Sequence, residues 1–143
     1  EDGADYPFQR RSPRPASFDA QVGDMRLPCQ KPPWGTLSAV DTTTGEIAWR
    51  QAVGVTESLP EGRQNTGRPG RAAVLVTASD LLFIAATDDN RLRALDTRTG
   101  NQYWEVLLPA RGNANPMTYL GSDGNQYIVI SATDDLMTFR LPN

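Results

Sequence analysis

The stretch Ala39-Val40-Asp41-Thr42-Thr43-Thr44-Gly45-Glu46-Ile47-Ala48-Trp49 decides the fold, because it returns as Ala94-Leu95-Asp96-Thr97-Arg98-Thr99-Gly100-Asn101-Gln102-Tyr103-Trp104. Both copies read A-x-D-x-x-T-G-x-x-x-W, and Asp41/Asp96, Gly45/Gly100 and Trp49/Trp104 are each 55 residues apart. A fixed period of this size is the mark of repeat architecture. Within one copy, Leu37 and Ala39 alternate with Ser38 and Val40, a strand pattern. The Asp carboxylate can accept backbone N–H groups of the next turn, and the Gly supplies the positive φ that reverses the chain. A second strand then carries the Trp. A lone hairpin cannot bury that ring, so both tryptophans are expected in equivalent positions, largely buried against the next repeat, with Trp49 the less buried.

Working outward, strands are expected at 36–41 and 47–53, then at 73–78, 81–87, 91–96 and 102–108, then at 117–121, 126–132 and 136–141. Leu81-Leu82-Phe83-Ile84-Ala85-Ala86 is a continuous apolar run, as suits a strand buried on both faces. Ser122-Asp123-Gly124-Asn125 is a hairpin turn. Glycines and Pro69 break any regular element between Gly54 and Arg71. Residues 1–33 hold six of the eleven prolines and read as an extended loop, with Phe8 and Phe18 as anchors. No segment sustains a helical period, so the class is all-β.

Composition narrows the function. With 14 basic and 17 acidic residues interspersed, net charge −3, the surface does not suit nucleic acid. Arg10, Arg11 and Arg14 sit among prolines and read as a solvated loop. The lone Cys29 allows no disulfide within the chain, and the absence of histidine removes His-based triads and His-ligated zinc. No apolar run reaches the length of a membrane span. Glu1 follows no initiator Met or apolar leader, so no targeting segment is read.

The repeated motif resembles the tryptophan-docking repeat of the pyrroloquinoline quinone (PQQ) dehydrogenases, which are eight-bladed β-propellers. Leu27-Pro28-Cys29-Gln30-Lys31-Pro32-Pro33-Trp34-Gly35, Thr77 to Asp96, and Asn115-Pro116-Met117-Thr118-Tyr119 with Gln126-Tyr127-Ile128-Val129-Ile130 resemble the glucose-dehydrogenase-like branch. They follow the family's order near its C-terminal end. The resemblance implies a propeller segment: a Pro-rich region at 1–35, a partial blade at 36–53, one full four-stranded blade at 73–108 and a partial last blade at 116–142. A complete ring at this period needs roughly three times the length, so the remaining blades are the expected partners. The stop at Asn143 after a third strand reads as the C-terminus of such a ring, whose last blade is completed by a strand from its N-terminal part.

By the same resemblance, the enzyme oxidises a sugar, polyol or alcohol hydroxyl with PQQ and calcium, in the periplasm. The isolated chain is expected to be inactive. The loop entering the full blade approaches the quinone in this family, usually with glycines; here it reads Gly70-Arg71-Ala72-Ala73. Arg71 offers a planar fork to a quinone carboxylate, and Ala72 and Ala73 are small enough for close backbone approach. The alternative is a rim arginine in solvent. No catalytic or metal-ligating residue of the family falls within this chain. The repeated Ala86-Thr87-Asp88-Asp89 and Ala132-Thr133-Asp134-Asp135 offer carboxylates to calcium, but they lack a calcium-loop pattern and read better as equivalent hairpin turns. Trp34 is left open between structure and cofactor stacking.

One departure stands out. Relatives carry a Gly-rich loop between the last two strands, whereas Ser131-Ala132-Thr133 runs directly into Asp134-Asp135-Leu136. That loop and Arg71 favour the alternative function, a cofactor-free propeller serving as a scaffold. A WD-type propeller fits less well, since its period is shorter and its G-H and W-D signatures are missing.

Overall fold

A computed structural model describes residues 19–22 and 25–140. All its regular elements are strands. The chain divides into two compact units, residues 1–31 and 32–143. In the first, β1 (Asp19–Val22) pairs antiparallel with β2 (Met25–Pro28), Val22 opposite Met25. This hairpin departs from the extended loop expected over 1–33 in the part it spans, while residues 1–18 lie outside the described residues. Two residues, Gly23-Asp24, join the strands, a short-hairpin signal that the surrounding prolines obscured. Phe8, Phe18 and the arginines at 10, 11 and 14 lie outside the described residues.

The second unit holds three antiparallel sheets. β3 (Thr36–Val40) pairs with β4 (Ile47–Ala52). β5 (Leu75–Val76), β6 (Leu81–Ile84), β7 (Arg91–Asp96) and β8 (Gln102–Leu107) form a four-stranded meander. β9 (Met117–Leu120), β10 (Gln126–Ala132) and β11 (Asp135–Arg140) form the third. The strand record agrees with the one full blade and two partial ones expected, except that the first strand of the full blade shrinks to two residues.

The central sheet is covered on both faces. Phe83, Leu92 and Ala94 join Ile128, Ile130 and Ala132 of the third sheet in one apolar cluster. Leu82, Ile84 and Leu95 join Val53, with Leu37 packed against them, in the other. Alternation along β6 thus sends Phe83 one way and Leu82 and Ile84 the other. The value of that cover is visible in the repeat itself. Leu95 is 1% exposed, while Val40, the residue 55 positions earlier, is 55% exposed because no sheet among the described residues covers its face.

The two copies of the motif fold alike. Asp41 Oδ1 accepts from Thr43 N at 2.8 Å, and Asp96 Oδ1 accepts from Arg98 N at 2.8 Å. Gly45 N donates to Asp41 O at 2.7 Å and Gly100 N to Asp96 O at 2.9 Å, with φ of +76° and +78°. Even the bulge recurs, between Ala39 and Val40 and between Ala94 and Leu95.

The tryptophans behave differently from each other. Trp49 Nε1 donates to Thr97 O at 2.9 Å, and the ring lies on Gly100, where an added Cβ would sit 2.9 Å from Trp49 Cε3. Gln51 Nε2 adds a bond to Gly100 O at 2.6 Å. The first motif's Trp therefore docks on the second motif's turn. Trp104 meets Phe139 edge-on at 5.6 Å but stays 42% exposed, which overturns the expectation that it is the more buried. The sequence contains no third copy of the turn to receive it. A cavity of about 530 Å³, of ordinary ligand-pocket size, opens beside Trp104 instead, walled by Phe83, Ile128 and Phe139.

The turn carboxylates are expected to make the fold acid-sensitive. The Tyr103 hydroxyl and the Thr99 N–H hold Asp96 down at about 2, and the Asn125 side chain and Tyr127 hydroxyl hold Asp123 at about 2. Each is lower folded than its ordinary 3.8, so its contribution is complete above that value and is lost as pH falls toward about 2. Urea midpoints are expected to fall across that window, and Asp96→Asn with Asp123→Asn to flatten the fall. An unchanged profile in the double variant counts against these two groups.

Candidate cofactor-facing loop

The connection from β4 to β5 reaches the quinone-approaching run expected at Gly70–Ala73, and glycines let it fold tightly. Trp34 N donates to Thr66 O at 2.7 Å, and Arg68 N to Val53 O at 2.8 Å. At Gly67 (φ +68°) an added Cβ would lie 2.1 Å from Gly35 O, so the two strands of chain touch backbone to backbone. Trp34 is half-buried at the root of this crossing.

Three carboxylates clasp the connection to the β6–β7 turn. Arg68 makes a two-pronged ion pair with Asp88, Nε to Oδ1 at 2.6 Å and Nη2 to Oδ2 at 3.1 Å. Asp89 accepts from Val55 N at 2.8 Å, from Thr87 Oγ1 at 2.7 Å and from Arg93 Nη2 at 2.5 Å. Arg93 also faces Glu105 at 3.2 Å, and Arg91 bridges Glu105 and Glu57. The side chains of Asp89 and Arg93 are each only 3% exposed. Burial pushes the Asp89 carboxyl up, but the Arg93 guanidinium, the Thr87 hydroxyl and the Val55 N–H outweigh it and hold it below its ordinary range.

This arrangement decides the fate of the repeated A-T-D-D stretches. Asp88 and Asp89 are occupied by arginines, whereas Asp134 and Asp135 are exposed beside a tight turn, with Ala132 opposite Asp135. The turns are not equivalent: the positive φ falls on Asn90 in one and on Thr133 in the other. Among the described residues, no group of three or more acidic, His or Cys side chains could hold a metal ion. The arginine clasp is not among the features expected from the sequence. Its only sequence signal is the run Asp88-Asp89-Asn90-Arg91-Leu92-Arg93, which places both charges on one short hairpin.

Gly70 to Ala73 emerges from this clasp. Gly70 bridges antiparallel to Thr87, and Arg71 N donates to Ala86 O at 3.1 Å. The Arg71 side chain is exposed and has no hydrogen bond or ion pair to another described residue. Ala72 packs against the apolar cluster that contains Leu82 and Ile84. Ala73 N donates to Asn115 Oδ1 at 2.7 Å, across to the loop that enters the third sheet. The structure thus brings Arg71, Ala72 and Ala73 together as a backbone run tied at both ends, whose guanidinium has no partner among the described residues.

Residues 2–128 match the model of the PQQ glucose/ethanol/alcohol dehydrogenase β-propeller domain. The chain is 39% identical over 125 residues to quinoprotein glucose dehydrogenase A of Acinetobacter calcoaceticus, covering 84% of this chain and 16% of that protein. It is 44% identical over 112 residues to quinoprotein glucose dehydrogenase of Escherichia coli (strain K12), covering 74% and 14%. With the glycerol dehydrogenase large subunit of Gluconobacter oxydans (strain 621H), identity is 36% over 143 residues, covering 88% and 19%. The chain therefore spans less than a fifth of the length of these curated relatives. Among solved structures it resembles a europium-containing methanol dehydrogenase, with a TM-score of 0.52 and 26% identity over 66% of this chain and 14% of that one. The docking motif, the stacked antiparallel sheets and these matches converge: the chain belongs to the PQQ-dependent quinoprotein dehydrogenases, in their glucose-dehydrogenase-like branch, and forms part of the β-propeller.

Proposed function

We propose that these sheets are late blades of a periplasmic PQQ-dependent dehydrogenase that oxidises a hydroxyl of a sugar, polyol or alcohol. The names of the glucose and glycerol dehydrogenases among the relatives support the substrate class. The observation that carries the reading is the Arg71–Ala73 run. Its residues fit the cofactor: an exposed guanidinium with no partner among the described residues suits a quinone carboxylate, and Ala72 and Ala73 add little side-chain bulk beside the backbone. PQQ, when bound, supplies the hydride acceptor. Arg71 then binds and orients, and Ala72 and Ala73 set how closely the backbone approaches. The general base and the calcium ligands belong to blades outside this chain, and those blades are its principal partners.

The test is equilibrium binding of PQQ, with calcium, to the longer protein that carries the rest of the propeller. Arg71→Ala is expected to weaken binding about 10-fold or more, with Arg71→Lys recovering part of the charge but not the two-pronged geometry. Equal affinity in all three proteins removes Arg71 from the site. The two-residue turn between Ala132 and Asp135 supports a second reading, a cofactor-free scaffold, because no long loop there covers a ligand. Failure of the longer protein to take up PQQ selects that reading.

A further inference from the structure

The Arg71–Ala73 run is held at both ends. Its first residue is tied by Arg71 N to Ala86 O within its own sheet, and its last by Ala73 N to Asn115 Oδ1 at 2.7 Å from the loop entering the next sheet. Asn115 is exposed, so burial does not explain its bond to an amide 42 positions away. Its own place is fixed on either side. An added Cβ at Gly112 would lie 2.8 Å from Ala85 Cβ and 3.0 Å from Ala85 O, so this loop lies tightly on the β6–β7 connection. Ala114 packs against the apolar cluster that contains Ala85, and buried Pro116 confines Asn115 to extended backbone.

We propose that Asn115 is a positioning residue. It fixes the Arg71–Ala73 backbone from the neighbouring sheet and, through it, sets affinity for PQQ. The second clause rests on the dehydrogenase reading above; the first does not. An acceptor oxygen is what this task needs, since it takes the bond from the Ala73 N–H. The arrangement also couples two sheets at one point: a shift of the third sheet moves Asn115 and, with it, the Ala73 end of the run.

Hydrogen exchange of the Ala73 amide in the 143-residue chain tests the first clause without any cofactor. Asn115→Ala is expected to speed that exchange about 10-fold, with Phe83 in the core unchanged, and Asn115→Asp, which keeps an acceptor oxygen, to restore protection. PQQ titration of the longer protein tests the second clause. There Asn115→Ala is expected to weaken binding about 5- to 10-fold, and Asn115→Asp to stay closer to the parent. Unchanged Ala73 exchange in Asn115→Ala overturns the positioning role. Faster exchange with unchanged PQQ affinity overturns the link to the cofactor. A parent protein that takes up no PQQ overturns the dehydrogenase reading and the affinity clause with it, and leaves the exchange result to decide the positioning role alone.

Discussion

Asp89→Ala is expected to cost about 3–5 kcal/mol of unfolding free energy, the range for removing one partner of a buried ion pair. The loss has three parts. Arg93, 3% exposed, keeps its charge and loses its shortest contact. Val55 N and Thr87 Oγ1 lose their acceptor, which releases one end of the β4–β5 connection. Glu105 alone remains to balance Arg93, and it is shared with Arg91. A double variant, Asp89→Leu with Arg93→Met, is expected to recover much of the loss, because it removes the stranded charge as well as the bond. Denaturant unfolding of the three proteins measures this. A loss below about 1 kcal/mol for Asp89→Ala places the pair in the class of screened surface ion pairs and contradicts its burial.

Trp49→Ala is expected to cost about 3 kcal/mol and Trp104→Ala about 1 kcal/mol, although both hold the same place in the motif. Trp49 loses a hydrogen bond to Thr97 O and its seat on Gly100, and it opens a cavity between two sheets. Trp104 loses one edge-on contact with Phe139 and leaves a groove that is already open. Gly100→Ala is expected to act like Trp49→Ala, because the new methyl would meet the indole and the backbone there has φ of +78°. Gly124→Ala, with the same φ and open space around it, measures the backbone share alone. Equal losses at Trp49 and Trp104 would mean that docking contributes nothing beyond the motif's own hairpin.

Much of this fold was legible because its signals are local. Asp, Gly and strand alternation within eleven residues fix each hairpin, and the apolar run at Leu81–Ala86 announces a strand covered on both sides. The order of Trp burial is the reverse of the expected one because it depends on where the next turn lies, which is a property of the assembled repeat and not of the hairpin. The β1–β2 hairpin is hard to see because proline density outweighs the short Gly23-Asp24 signal. At the candidate site, Arg71, Ala72 and Ala73 were placed by resemblance. What holds them was not legible, since Asn115 and the Asp89–Arg93 pair act through contacts that no spacing rule joins. Asp88 and Asp89 looked like turn residues or metal ligands because the sequence does not show Arg68 folding back onto them.

In the proposed function this chain contributes one wall of a cofactor site that other blades complete. This is tested most directly by titrating the purified 143-residue chain with PQQ and calcium, then adding glucose and a dye acceptor. The expected result is no saturable uptake in the micromolar range and no dye reduction above the rate of free cofactor. Saturable uptake with turnover would show that these sheets hold a working site by themselves, and would contradict the placement of the base and the calcium ligands in other blades.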